Sequence, residues 1–254
     1  MIEGMLVNEL TTVDERKMVF ELAKARIKSL QGVIEQLETQ EKGIDTILNQ
    51  EKETYEVSFN QHQDREISIP EFSAIDQEHR HKLDSLHLKK ISIEMAKNAK
   101  QGVIERLWCL CWLLKMPYGK TEAQAIRHDT GEKITVRRQD IYNKYMDTIL
   151  KSEGMRLKNE QSYLRLLLDF NHIPDILVHP EHEFYAESSA TSEKLVDVKD
   201  QIETLQKYES KGRGNYKDTM DFSQLTVGDF MNENTEYLFD QFFLANEDQR
   251  RRAV

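Results

Sequence analysis

The chain has 254 residues, of which 39% are hydrophobic and 31% are charged, and its formal net charge is −10. This negative charge argues against general affinity for nucleic acids or for anionic membranes. The two cysteines lack the spacing of a disulfide framework, which argues against a disulfide-stabilised secreted domain and predicts buried free thiols in a reducing compartment.

The first ten residues lack the basic region and the apolar stretch of a signal peptide. We therefore expect a cytoplasmic protein, or one that acts in a host cytoplasm if it is viral. Few prolines and glycines interrupt the chain, so the sequence predicts an all-α protein with long antiparallel helices in a bundle.

A long first helix is predicted, with Thr11 or Thr12 as its N-cap. After this N-cap, apolar residues recur at alternating spacings of three and four residues. The eleven positions of this seam are Phe20, Ala23, Ile27, Leu30, Ile34, Leu37, Glu41, Ile44, Leu48, Glu51 and Tyr55. The pattern predicts a narrow contact stripe, which packs either on a coiled-coil partner or on the protein's own domain.

The periodicity fades between residues 58 and 70, which predicts a loop. A second helix is expected to begin near Ser73 or Asp76 and to end at Pro117, antiparallel to the first. Its final part, residues 103–116, contains eight consecutive apolar residues, which include both tryptophans and both cysteines. A helix that is apolar on all sides is normally buried, so we expect a central core helix in which Trp108 or Trp112 is mostly buried.

Shorter elements follow the second helix. Turn-forming residues 129–132 predict a small β-hairpin near 125–136, with an exposed loop as the alternative. A third helix is expected over about 138–151, Gly154 is expected to break or weaken it, and a fourth helix should follow over about 159–170. Residues 187–192 resemble a linker. We therefore expect a helical body over 1–186 and a C-terminal region over 187–254, which contains this linker, a short amphipathic helix and an acidic-aromatic docking segment.

Residues 97–138 have a local excess of positive charge, with nine Lys or Arg residues and four Asp or Glu residues. The basic residues near the predicted hairpin are Lys120, Arg127, Lys133, Arg137 and Arg138. These side chains could contact nucleic acid phosphates, but such a patch more often matches an acidic face of another subunit.

Signals for chemistry are weak. Cys109 and Cys111 are two residues apart, which does not fit a zinc site, and the histidines near His179 and His182 match no metal-binding signature. We therefore predict no metal and no cofactor, and no catalytic residue in the main interpretation.

One alternative interpretation is enzymatic. Arg165 and His172 are separated by six residues at the end of a predicted helix. This arrangement resembles that of the helical RNases called HEPN domains, although Leu166 stands where that family often has a polar residue. The resemblance implies metal-independent RNA cleavage, with His172 as base and Arg165 stabilising the phosphorane.

The C-terminal region combines acidic and aromatic residues. Residues 218–249 contain eight Asp or Glu residues, no Lys or Arg, and five phenylalanines. We expect a helix over about 229–245 and partner-binding side chains at Phe222, Phe230, Tyr237, Phe239, Phe242 and Phe243. The alternative is a last helix that packs on the protein's own core.

Together these patterns predict a non-enzymatic protein that works through protein–protein contact. We expect an assembly or scaffolding subunit of a larger complex, whose partners are other proteins or further copies of itself. An RNase or another nucleic-acid-processing protein is the alternative.

Overall fold

The computed structural model describes residues 3–117, 119–127, 130–170, 183–212 and 224–232, and for residues 169–170, 183–190 and 208–212 the backbone alone. The described chain is mainly helical, which confirms the predicted fold class. A short 3₁₀ helix, Val7–Glu9, precedes α1 (Val13–Gln63), α2 (Ile69–Lys115), β1 (Glu122–Ile126), β2 (Lys133–Arg137), α3 (Arg138–Phe170), α4 (Glu183–Gly212) and α5 (Val227–Met231). Within the described residues, no helix has both the length and the apolar composition needed to cross a membrane.

The chain divides into two compact units. Unit 1 contains residues 1–34, 98–155 and 204–254, and unit 2 contains residues 35–97 and 156–203. Helices α1, α2, α3 and α4 each contribute to both units. The predicted division into a body over 1–186 and a C-terminal region over 187–254 stays a prediction, but residues 187–192 lie inside α4, so the expected linker is wrong.

Unit 1 contains the main hydrophobic core. Buried side chains come from the first part of α1, the last part of α2 and the first part of α3, including Ile27, Leu107 and Tyr145. The chain segments before α1 and around α5 complete this core. They are joined by backbone hydrogen bonds, since the N–H of Val7 donates to Leu225 O at 2.9 Å and the N–H of Val227 donates to Met5 O at 2.9 Å.

Unit 2 contains an antiparallel pair formed by α1 and α2. Polar contacts run along this pair in reverse order of sequence. They join Asp45 to Lys90, Glu51 to Lys82, and the Tyr55 hydroxyl to Asp76. Every one of the eleven predicted seam positions, in both units, is buried or half-buried, so the expected contact stripe is confirmed. Its packing within unit 2 shows that α1 has a partner helix in its own chain.

The helix starts depend on local capping. Thr12 caps α1 as predicted, since its Oγ1 accepts from the N–H of Glu15, whose carboxylate accepts the N–H of Thr12. Ser68 and Glu71 make the same reciprocal contacts at the start of α2. This capping box places the helix start at residue 69, so the predicted start near Ser73 or Asp76 is wrong, and the loop is much shorter than expected.

The β-hairpin is confirmed, with Glu122 opposite Arg137 and Ile126 opposite Lys133. The predicted break at Gly154 is wrong, because α3 continues to Phe170. A Cβ atom at position 154 would lie 3.2 Å from Cδ2 of Leu205. Glycine at this position therefore permits close packing of α4 on α3. The contacts between these two helices outweigh the low helix propensity of glycine.

Candidate interaction surface

Helix α2 is buried on most sides within unit 1, but one strip of it faces solvent. The buried residues are Gly102, Val103, Ile104, Arg106, Leu107, Cys109, Leu110, Cys111, Leu113 and Leu114. The positions of residues 101–115 that are not buried, here called the α2 strip, are Gln101, Glu105, Trp108, Trp112 and Lys115, of which Glu105 is half-buried. Their spacings of four, three, four and three residues place them on one side of the helix.

Both tryptophans of the chain lie at the centre of the α2 strip. Trp108 is 47% exposed and Trp112 is 41% exposed. They lie one turn apart on the same helix, as predicted, but the expectation that at least one is mostly buried is wrong. The apolar run is continuous in sequence, yet the rest of unit 1 covers only the other sides of α2.

Opposite charges flank the two tryptophans. Glu105 precedes Trp108 by three residues and accepts a hydrogen bond of 3.3 Å from Nε2 of Gln101. Lys115 follows Trp112 by three residues, and its Nζ lies 5.2 Å from the centroid of the Phe20 ring. The α2 strip thus has an anion at one end, a cation at the other and an aromatic pair between them.

The cysteines beside the strip are not reactive groups. Cys109 and Cys111 are free and buried, as predicted. Burial raises the pKa of both thiols to about 11. Because the thiolate is the nucleophile and the metal ligand, these side chains are suited to packing rather than to chemistry at neutral pH.

Three of the five basic residues at the hairpin, the arginines, contact polar groups of their own chain. Arg137 pairs with Glu122 across the two strands at 3.2 Å, and Arg127 lies 3.9 Å from Glu132. Arg138 donates to Asn8 at 3.2 Å. Lys120 and Lys133 are exposed. These local carboxylate contacts weaken the positive field that a nucleic acid interface would need, and binding of nucleic acid here stays a prediction.

The predicted catalytic pair is only partly described. Arg165 lies on α3 with its side chain exposed to solvent. His172 lies outside the described residues, as do His179 and His182, so the RNase alternative stays a prediction. Among the described residues, no group of histidine, cysteine and acidic side chains could hold a metal ion.

Phe230 is the one predicted partner-binding residue that the structure describes. It is fully buried, and its ring centroid lies 4.7 Å from that of Tyr145. Phe230 therefore belongs to the protein's own core, and its assignment to a docking surface is corrected. Phe222, Tyr237, Phe239, Phe242 and Phe243 lie outside the described residues.

The predicted helix over 229–245 is not continuous, because α5 ends at Met231; residues 233–245 lie outside the described residues. Thr226 caps α5 through a capping box with Asp229, and the helix ends after five residues because Asn232 has an extended backbone. Val227 and Phe230 of this short helix are buried in the core of unit 1.

The strip could have been found from the sequence. On a helix, the alternating spacing of three and four residues puts Glu105, Trp108, Trp112 and Lys115 on one face. The apolar run alone suggests complete burial. Comparison of the chain with protein-family models, with curated proteins and with solved structures gave no match.

Proposed function

We propose that the protein is a self-associating assembly or scaffolding subunit that works through the α2 strip. The observation that carries this proposal is the exposed pair Trp108 and Trp112 in the part of α2 whose other sides are buried in unit 1. Tryptophan is enriched among the residues that dominate binding energy at protein interfaces. Two adjacent exposed tryptophans supply far more apolar contact area than single scattered surface residues.

The order of residues on the strip favours a second copy of the chain as the partner. Trp108 and Trp112 are each two residues from position 110, and Glu105 and Lys115 are each five residues from it. Two antiparallel copies of the strip would therefore place Trp108 against Trp112 of the second copy. They would also place Glu105 against Lys115 of that copy.

This arrangement is self-complementary, as a two-fold symmetric interface requires. Every residue pair would occur twice, once on each side of the symmetry axis, so the aromatic pairs would form the centre and the ion pairs the rim. A hydrophobic centre with a polar rim is the usual organisation of a protein interface. The buried free thiols suit a reducing compartment, so we place this assembly in the cytoplasm.

Replacement of both tryptophans by alanine tests the proposal. Because each side chain is partly exposed, the double variant should remain folded, while its dissociation constant should rise by about 30-fold or more. Sedimentation velocity over a range of protein concentrations measures this change. Ile126→Ala is the control, since Ile126 is 67% exposed on β1 and lies outside the strip. A wild-type chain that stays monomeric at all concentrations, or a double variant that associates normally, would contradict the proposal.

A further inference from the structure

An apolar cavity of about 430 Å³ lies in unit 1, where the start of α1 meets the end of α2. Its apolar lining includes Val13, Phe20, Met116 and Pro117. Val13 is 80% exposed, so the cavity is open to solvent. This volume falls within the range of natural ligand-binding pockets.

Lysine side chains lie at this cavity. Lys17 and Lys115 belong to its lining. Lys24 lies close by, with Nζ 5.5 Å from the centroid of the Phe20 ring and 3.9 Å from Oε2 of Glu21. Arg16 also lines the cavity, but its guanidinium donates to the carbonyl oxygens of Leu113, Leu114 and Met116 at the end of α2. Arg16 therefore stabilises the cavity wall by joining α1 to the end of α2. The lysines are the cations that remain to pair with an anionic ligand. A ligand with aromatic and acidic groups would match both features.

The C-terminal segment of the same chain has this chemistry. Residues 233–249 contain five acidic residues, no lysine or arginine, and the three phenylalanines Phe239, Phe242 and Phe243. We propose that this segment docks into the cavity of its own chain, with a phenylalanine as the apolar anchor and the carboxylates near Lys17. Buried aromatic side chains would supply most of the contact area, and the opposite charges would set the specificity.

The position of the segment favours docking within one chain. The carbonyl oxygen of Asn232 accepts a hydrogen bond of 2.6 Å from Nη2 of Arg106, so the segment starts beside α2. Leu114, in the cavity wall, is eight residues after Arg106, and this separation corresponds to a rise of about 12 Å along the helix axis. Phe239 follows Asn232 by seven residues, and seven extended residues can span roughly 23 Å. The phenylalanines can therefore reach the cavity without a second copy.

Disulfide trapping in the full-length protein tests this docking. Val13→Cys is combined with Gln241→Cys, and the control combines Ile126→Cys with Gln241→Cys, so that all three phenylalanines of the segment are retained. Val13 and Ile126 are both strongly exposed, so neither substitution disturbs the core. The natural thiols are buried with a raised pKa, and they should not compete at neutral pH.

Under mild oxidation, the Val13 pair should form an intramolecular disulfide at least about tenfold faster than the Ile126 pair, since docking raises the effective concentration of the two thiols. Lys17→Glu should slow the reaction of the Val13 pair, because it places an anion beside an acidic segment. Peptide mapping by mass spectrometry identifies the crosslink. Equal rates for the two pairs, or crosslinks that form only between chains, would overturn docking within one chain.

Discussion

The Nζ atom of Lys97 on α2 lies 2.6 Å from Oε2 of Glu41 on α1, and both side chains are less than one quarter exposed. This hydrogen bond is the main reason that the pKa of Lys97 is raised. Glu41 is one of the two seam positions that are not apolar, and the other, Glu51, lies 3.7 Å from Lys82. Both interruptions of the apolar seam are thus matched by a lysine of the partner helix, which favours one register of the antiparallel pair.

Charge reversal at this pair should affect stability. Glu41→Lys would place two cations together, so the free energy of unfolding should fall by about 1 kcal/mol. A second change, Lys97→Glu, should restore most of the loss, because the ion pair forms again with exchanged signs. Urea denaturation followed by circular dichroism measures both values. The matched control is Glu53→Lys, at an exposed position of α1, which should change stability far less.

Two helical glycines should respond oppositely to alanine. A Cβ atom at Gly102 would lie 2.7 Å from Oγ and 3.1 Å from Cβ of Ser152, whereas nothing lies within 4 Å of a Cβ atom at Gly43. Gly102→Ala should therefore lower stability through a steric clash. Gly43→Ala should raise it by up to about 1 kcal/mol, because alanine has the higher helix propensity. Thermal unfolding of the two variants tests this difference, and a destabilised Gly43→Ala protein would contradict the described packing.

The sequence predicted features that depend on local or periodic signals. The Thr12 cap, the α1 seam, the hairpin and the helix end at Pro117 all follow from such patterns, and the structure confirms them. The sequence could not predict which residues are buried where contacts between distant parts of the chain determine burial. Gly154 is tolerated because of Leu205, and Phe230 is buried because of Tyr145, yet both contacts join residues more than 50 positions apart.

Phe230 should contribute strongly to the stability of unit 1. Phe230→Ala would leave a cavity against Tyr145 in a fully buried site, and we expect a loss of about 3–5 kcal/mol. Phe59→Ala should cost much less, because Phe59 is 41% exposed. Equilibrium denaturation compares the two variants. Equal effects of the two substitutions would contradict the burial of Phe230. A much larger loss of stability in Phe230→Ala would mean that deletion of residues 218–249, which also removes Phe230, destabilises unit 1.

The buried thiols should make the free energy of unfolding decrease at alkaline pH. The pKa of Cys109 and Cys111 is about 11 in the folded protein, compared with an ordinary value of 9.0. Between about pH 9 and pH 11 the unfolded chain therefore loses these protons first, and the free energy of unfolding should fall as the pH rises. Denaturation at several pH values should show a smaller fall in a Cys109→Ala, Cys111→Ala variant. Identical slopes for the variant and the wild type would contradict the shifted pKa values.

A charge-exchange experiment on the α2 strip tests the central claim, two-fold self-association, most directly. In the proposed dimer, Glu105→Lys would face Lys115 of the second copy, and Lys115→Glu would face Glu105. Each single change should weaken association by about tenfold or more, since symmetry places the repulsion at two sites. The combined variant should associate nearly as well as the wild type, because opposite charges face each other again. Sedimentation equilibrium measures the four dissociation constants, and a combined variant that is no better than the single variants would contradict the antiparallel dimer.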